Sequence, residues 1–466
     1  MRYNKYLSNN DITLENILFS RDLRVEKENQ LLKEYNCSLI VLTLNIVGSN
    51  KVFELSKKTF YEGARLIEDK LIFHNLKIKY QEINKSKCGY EKYYLIECDS
   101  MLLKKYCCDI EESLKIGRLF DIDVISNNRE KISREVIGYN QRKCIICNNN
   151  IYQCRRLKAH SIDQILEKQI DVMLDYFDNK MANIISDICL KALLYEVLTT
   201  PKPGLVDQNN SGSHKDMDIF LFNKSAIALI PFFKEFYMIG AKNSTTAIEK
   251  LFIPIRELGK KAEIAMYKVT NNVNTHKGII FSYAIVLASL GWLSHNNFYS
   301  RENIIITIKD LTKNIFCDFE NLNNKEKLTN GEKLYLSEQV LGIRGEAYNG
   351  YSTVIEKILP KFYSYIDAGN SFNDSGAYTL LEIVLLIEDT NIIARSDYNT
   401  LLEIKIRIKD ILELKDKNKI GLIKELDSYF IAKNISAGGA ADLLSLTYFF
   451  YFFEEEVLSN FDIIKS

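Results

Sequence analysis

Two rhythms of apolar and polar positions divide the chain. Before residue 179, strand-like and helix-like stretches alternate. Ser38–Val47 (SLIVLTLNIV) is rich in β-forming residues and ends at Gly48-Ser49-Asn50, so it reads as a strand. Tyr93–Glu97 reads as a second strand and Leu119–Ile125 as a third. Helical spacing covers Asp11–Leu32, Phe53–Phe73, Met101–Lys115 and Ser161–Tyr176, and Asp178-Asn179-Lys180 reads as a break. From Met181 onward the spacing is helical throughout: 181–198, 219–239, 244–268, 278–294, 301–316, 332–341, 347–363, 376–388, 397–414, 419–427 and 440–457. The pattern predicts an N-terminal α+β domain over 1–179 and a larger all-α domain over 180–466.

The sharpest interruption is EVLTTPKPGLVDQNNSGSHKDMD, Glu196 to Asp218. The chain has five prolines, and Pro201 and Pro203 are the first two. A helix running through Leu193 and Val197 must stop before them, because proline lacks the N–H and restricts its predecessor. Lys202, Asp207, His214, Lys215, Asp216 and Asp218 are packed into the loop that follows. A plain reading is a solvated turn with Asp218 as the next helix's N-cap. A polar loop of this density between two apolar helices is better read as a site.

Four more polar loops sit at helix ends. Thr270–Gly278 places His276 and Lys277 at a helix start, where the dipole disfavours cations unless an anion is bound. Gly342–Ala347 offers Arg344 and Glu346. Asp389-Thr390-Asn391 is followed by Arg395. Ser436–Leu444 opens a helix with Gly438-Gly439 and carries Asp442. Capping explains each loop singly, but not the gathering of so many charged groups at the helix ends of one domain.

Composition narrows the options. The chain is 466 residues, 47% hydrophobic and 26% charged, with a formal net charge of zero. Nothing in that balance argues for nucleic acid or an anionic membrane as a partner. The stretch MRYNKYLSNNDITLEN lacks the apolar segment of a signal peptide. No apolar run reaches the ~18 residues of a membrane span. Ten cysteines in such a chain read as reduced thiols in the cytoplasm.

In the first domain, a strand over Leu119–Ile125 puts Phe120, Ile122 and Val124 on one face and Asp121 and Asp123 on the other. Paired carboxylates repel, and bound Mg²⁺ removes that cost. Such a pair beside a phosphate ester suits nucleotidyl-type transfer. Arg118, Arg134 and Arg142 are candidate phosphate binders. Cys144, Cys147, Cys154 and His160 could close a structural Zn²⁺ site. The spacing is not a common finger pattern, so buried thiols with a phosphate-facing His160 are the preferred reading.

These motifs carry a resemblance. Glu196, Thr200–Asp207 (TPKPGLVD), Asn210-Ser211-Gly212, His214 and Asp216-Met217-Asp218 resemble the triphosphoribosyl-dephospho-CoA synthase family, and the four later loops match it in order. That family usually has proline and serine at Ala437 and Ala440. The first domain resembles the citrate lyase holo-acyl-carrier-protein synthase, a phosphoribosyl-dephospho-CoA transferase. The match lies in Asn45-Ile46, Gly48, Lys51, Gly117-Arg118-Leu119-x-Asp121-x-Asp123-Val124, Ser133-Arg134, Arg142, Cys144, Cys147, Cys154, Arg156 and His160-Ser161, with Val47 where the family has proline. A nucleotidyltransferase-like fold for this domain is left open.

The resemblance implies a bifunctional transferase. The 2'-hydroxyl of 3'-dephospho-CoA would attack C1 of the ATP ribose and expel adenine. The product would then be loaded onto a serine of the apo acyl carrier subunit of citrate lyase, with release of pyrophosphate. On this reading Asp216 and Asp218 bind Mg²⁺, with Asp207 a third candidate, as Asp121 and Asp123 do in the first domain. Lys202, His214, Lys277, Arg344, Arg395 and Gly438-Gly439 bind phosphates. The base is Glu346, Asp389 or Asp442. His276 protonates adenine or binds phosphate. A competing reading makes the second domain a metal-dependent nucleotide or ADP-ribosyl hydrolase, and the first a zinc-stabilised docking module without catalysis.

Overall fold

The computed structural model describes residues 3–8, 11–296, 299–319, 328, 330–414 and 419–459. The chain forms two compact units, Met1–Phe177 and Asp178–Ser466.

The first unit is built on an antiparallel sheet of β1 (Ser38–Leu44), β2 (Ile78–Ser86), β3 (Gly89–Ile96) and β4 (Phe120–Ile125), in the order β2-β3-β1-β4. Helix α1 (Leu14–Glu34) starts at a reciprocal cap between Thr13 and Asn16. Its Leu31 and Leu32 pack with Leu39, Val41, Tyr93 and Leu95 on one face of the sheet. Helices α2 (Glu54–Phe73) and α3 (Ser100–Ser113) lie on the other face, over Ile40, Leu42, Tyr94, Ile96, Phe120, Ile122 and Val124. β1 is therefore covered on both faces, which is why its sequence is a continuous apolar run rather than an alternation.

Two expectations are corrected here. β2 was not foreseen, because IKYQEINKS is a half-exposed edge strand whose lysines and glutamate hide the β signal. The break at Asp178-Asn179-Lys180 is not made: a single helix, Ile162–Leu198, runs through it. None of those three residues is glycine or proline, so nothing in the backbone stops the helix. The short helix before it, Ile151–Arg156, is α4, and the long one is α5.

The second unit is helical throughout its described residues, as the spacing predicts. After α5 come α6 (Ile219–Lys242), α7 (Phe252–Val269), α8 (Lys277–Leu293), α9 (Arg301–Thr312), α10 (Asn330–Glu338), α11 (Gly342–Tyr348) and α12 (Leu359–Asp367). Then follow α13 (Phe372–Leu386), α14 (Thr390–Arg395), α15 (Tyr398–Glu413), α16 (Lys419–Ala432) and α17 (Gly438–Phe453). α8 and α17 are apolar all round and almost wholly buried, so they form the axis of the core. The helix expected over 347–363 is interrupted at Gly350-Tyr351, where both residues have positive φ, and resumes as a π-type turn, Thr353–Ile358.

α6 and α8 cross at two glycines. A Cβ on Gly240 would sit 2.0 Å from the Ala288 carbonyl oxygen, and one on Gly291 would sit 2.0 Å from that of Tyr237. Only hydrogen at both positions lets the backbones approach this closely. Gly240→Ala should therefore destabilise the chain by about 1–3 kcal/mol through overpacking. Gly259→Ala on α7, where nothing lies within 4 Å of the new carbon, should stabilise it by about 0.5–1 kcal/mol. Equal effects of the two substitutions in chemical denaturation would refute the close crossing.

Candidate functional site

Five polar loops of the second unit open onto one cavity of about 960 Å³. The first loop is held from within. Asp207 is buried, and its Oδ2 accepts from the Thr200 hydroxyl at 2.7 Å and the Lys202 N–H at 3.1 Å. Its Oδ1 accepts from the N–H groups of Asn209 (2.7 Å) and Asn210 (3.0 Å). Asp427 of α16 ties the loop to the body, accepting from Gly204 N–H and the Asn210 side chain. Lys202, also buried, is ion-paired with Glu196 near the end of α5.

Two helix N-termini meet at this cavity through buried acids. Asp389 Oδ1 accepts from Asn391 N–H (2.8 Å) and Ile392 N–H (3.2 Å), capping α14. Its Oδ2 accepts from Ala440 N–H at 2.8 Å, in the first turn of α17. Burial raises the Asp389 carboxyl, and these N–H groups oppose the rise. Asp442 accepts from Ile279 N–H at the start of α8, and a Cβ on Gly278 would fall 1.9 Å from its Oδ2. Burial pushes Asp442 well above the usual carboxylate range, and the nearby Glu196 and Asp389 push it further. Glu196 is raised by burial against the opposing charge of Lys202.

Histidines and cations line the same walls. His276 is buried, with Nδ1 2.7 Å from the Ser225 hydroxyl, which lies 2.8 Å from that of Thr275. A relay in which Thr275 donates to Ser225, and Ser225 to Nδ1, leaves the imidazole proton on Nε2. Burial, with Lys202 nearby, lowers the His276 pKa to about 3, so the ring is neutral near pH 7. His214 lies 2.9 Å from the Ser436 hydroxyl and 3.4 Å from an Arg395 nitrogen. Burial and then Arg395 lower its pKa. Lys277 is half exposed, beside Glu263 at 3.1 Å. Glu346 is raised by burial; one oxygen accepts from Thr353 and Oε2 is buried without a partner.

Of the residues expected from sequence, the cavity wall includes His214, Asp216, His276, Lys277, Glu346 and Asp389. Arg395, Gly438, Gly439 and Asp442 complete that set. The expected metal group is not assembled. Asp207 is consumed by its own loop, and Asp218 is exposed and caps α6 by accepting from Leu221 N–H at 2.8 Å. Lys202 is neutralised by Glu196 rather than presented to phosphate. Arg344 lies in α11 off the wall, although its neighbours Ile343 and Gly345 are on it.

In the first unit the sheet directs Asp121 and Asp123 away from the α2–α3 face. Asp121 lines a cavity of about 150 Å³ with Arg21, Arg24, Lys51 and Asn45. Asp123 is paired with Lys131, and Glu28 of α1, raised by burial and then by Asp123, stands near it. Two of the three expected arginines gather around a residue that was not foreseen, Glu111 of α3, with Arg118 near both. Glu111 is 4% exposed, ion-paired with Arg142 and 3.8 Å from Arg134. Burial, then Arg142 and Arg134, lower the Arg118 pKa. Val47, in place of the family's proline, donates its N–H to Gln169 at 3.1 Å. His160 places its Nε2 3.3 Å from the Cys147 sulfur.

Comparison with known proteins decides the family. Residues 182–461 match the CitG family, ATP:dephospho-CoA triphosphoribosyl transferase, and residues 12–176 match CitX, apo-citrate lyase phosphoribosyl-dephospho-CoA transferase. Protein CitXG of Haemophilus influenzae is 32% identical over 454 residues, covering 95% of this chain and 96% of that protein. The chain belongs to the CitXG family. Protein CitXG of Leuconostoc mesenteroides subsp. cremoris is 31% identical, with 94% and 96% covered. A probable 2-(5''-triphosphoribosyl)-3'-dephosphocoenzyme-A synthase of Streptococcus mutans is 37% identical over 291 residues, 59% of this chain and 98% of its own.

Both CitX and CitG halves are thus transferases of citrate lyase prosthetic-group biosynthesis. Among the described residues, no helix is long and apolar enough to cross a membrane. Sequence reasoning passed over Glu111 in this CitXG chain, and gave Glu196, which opens the matched motif, no role. Each is an acid at a core-facing helical position, Glu111 beside Cys107, Cys108 and Ile110, and Glu196 beside Leu193 and Val197. That break in an apolar face was the available signal.

The lowered His276 pKa makes a pH prediction. A histidine held below its ordinary 6.5 contributes stability that is present above 6.5 and lost as the pH falls toward about 3. Between about pH 6.5 and 5 the wild-type unfolding temperature should fall more steeply than that of His276→Asn. Parallel slopes in calorimetry would show that His276 is not buried neutral.

Proposed function

We propose that residues 180–466 make 2'-(5''-triphosphoribosyl)-3'-dephospho-CoA from ATP and 3'-dephospho-CoA. Residues 1–179 then transfer phosphoribosyl-dephospho-CoA to a serine of the apo acyl carrier subunit of citrate lyase. The observation that carries the first half is the convergence on one cavity of two long-helix N-termini, the cations Lys277 and Arg395, and the acids Asp442 and Glu346. Helix N-termini and cations suit a retained triphosphate. The carboxylates suit a sugar centre that develops positive charge.

In the first reaction the 2'-oxygen of dephospho-CoA bonds to C1 of the ATP ribose, and the bond from C1 to adenine breaks. Glu346 takes the hydroxyl proton: its raised pKa and orphan oxygen are those of a poised base. Asp389 is not the base, because both its oxygens already accept backbone N–H groups. Neutral His276 donates from Nε2 to the departing adenine, whose electron pair it stabilises. Arg395 and His214 meet the phosphates at the mouths of the first and fourth loops.

Asp442, a base candidate from sequence, is the acid a divalent cation would stabilise, since Glu196 and Asp389 make its charge costly; Asp216, the one residue of the expected metal set on this wall, would be the other ligand. Mg²⁺ bound there would neutralise triphosphate charge. In the second reaction the carrier serine oxygen bonds to the phosphorus nearest the ribose, and the bond to pyrophosphate breaks. Arg118 and Arg142 would bind the leaving group. Asp121 and Asp123 would hold a divalent cation, which would supply charge neutralisation at the phosphate.

Glu346→Gln should lower ATP-dependent adenine release by about 100-fold or more while ATP binding changes little. Adenine release at the normal rate in this variant would remove Glu346 as the base. Release from ATP alone, as fast as with dephospho-CoA present, would favour the hydrolase reading instead. Arg142→Gln should slow pyrophosphate release on incubation with apo carrier subunit by about 10–100-fold, with adenine release intact. Equal loss of both activities would show a folding defect rather than a phosphate contact.

A further inference from the structure

Residues 127–165 have almost no core of their own. Cys144 is their one buried apolar residue among the described positions, while Val136, Tyr152, Leu157 and Ile162 are all exposed. Before α5 begins at Ile162, regular structure is limited to the six-residue α4 and isolated bridges such as Lys143–Asn150. A segment this poor in burial does not offset the entropy of ordering it, so an ordered form needs a cross-link.

The cross-link is at hand. The ligand atoms of Cys144, Cys147, Cys154 and His160 all lie within 4.8 Å of one another. Cys147 Sγ is 3.4 Å from Cys154 Sγ and 3.3 Å from His160 Nε2. Zinc–sulfur and zinc–nitrogen bonds of about 2.3 and 2.0 Å make a tetrahedron with edges of about 3.5–3.8 Å, which this cluster brackets. The sulfurs are too far apart for a disulfide, and all the cysteines are free thiols.

The backbone is shaped around the same point. The N–H groups of Ile146 and Cys147 donate to the Cys144 sulfur, the turn of a two-residue metal knuckle. Asn148 closes it in the left-handed region (φ 58°), donating its N–H to Cys144 O at 3.1 Å, while Cys144 N–H donates to Asn149 O at 2.8 Å. Asn150 caps α4, which carries Cys154, and a left-handed Lys158 turns the chain so that His160 comes back.

We infer that Cys144, Cys147, Cys154 and His160 bind one structural Zn²⁺, and that this ion positions the arginine cluster beside it. Arg142 stands two residues before the first ligand and reaches Glu111. Arg118 donates to the carbonyl of Lys143, the residue before the first ligand. All four ligands belong to the first unit, so loss of the ion should separate the two activities. The positional claim rests on the proposed transferase reading; the metal claim does not.

The full chain, expressed with zinc and purified without chelator, should contain about one zinc per chain by elemental analysis, and Cys147→Ser and Cys154→Ser should lower this at least about fivefold. Cys317→Ser, an exposed thiol of the second unit, should not. Cobalt loaded into the wild-type chain should show thiolate-to-metal charge transfer and tetrahedral d–d bands, a readout that needs no variant to fold. Removing the metal should abolish pyrophosphate release on carrier loading and leave adenine release. Wild-type chain with under about 0.1 zinc and no cobalt charge-transfer band overturns the site. So does unchanged zinc in both variants, or a Cys147–Cys154 disulfide found by mass spectrometry. Full carrier loading by the zinc-free chain overturns the positioning role alone.

Discussion

A carboxylate taken out of water needs donors at once, and Asp389 finds them on the first turns of two different helices. One oxygen holds α14 and the other holds α17. Neither helix can shift without stranding a buried charge, a cost of several kcal/mol in a low-dielectric interior. The start of α17 is thereby fixed against the loop that carries Arg395, and Gly438-Gly439 is placed on the cavity wall. A Cβ on Gly439 would lie 3.1 Å from Asp389 Oδ2, so the glycine keeps that approach open. The start of α8 is set by the same logic, through Asp442 and the missing side chain of Gly278.

The two units solve one electrostatic problem in the same way. Each buries an acid and surrounds it with positive groups, partial or whole. In the second unit the acids are Asp389 and Asp442 on helix N-termini, with Glu196 neutralised by Lys202. In the first it is Glu111, held by Arg142 with Arg134 close by. Arginines gathered around a buried acid are ordered before substrate arrives, so binding a phosphate costs less side-chain entropy. The CitX and CitG halves share no fold, yet each surrounds a buried acid in this manner.

Periodicity made most of the fold legible. β1, the α2 and α3 helices, the outward faces of Asp121 and Asp123, and the all-helical second unit follow from spacing alone. β2 escaped because an exposed edge strand carries no apolar period, and the break at 178–180 was imagined where no backbone reason for one exists. The five loops were visible because proline, glycine and charge coincide in them. Their employment was not. Asp207 and Lys202 looked like ligands and are the loop's own fastening, while Glu111, which looked like a helix residue, and Glu196, which had no role, are buried partners of cations.

Sequence by itself determined the element types, the order of the loops and the family, because these depend on local spacing and on motifs that are contiguous in the chain. Tertiary structure decided which charged groups face a common hollow and which neutralise one another. It also drew three thiols and an imidazole to one point. Those outcomes turn on distances between residues far apart in the chain, such as Gly204 and Asp427, which are 223 positions apart. A Coulomb interaction or a metal bond depends on that distance in space, which spacing along the chain does not contain.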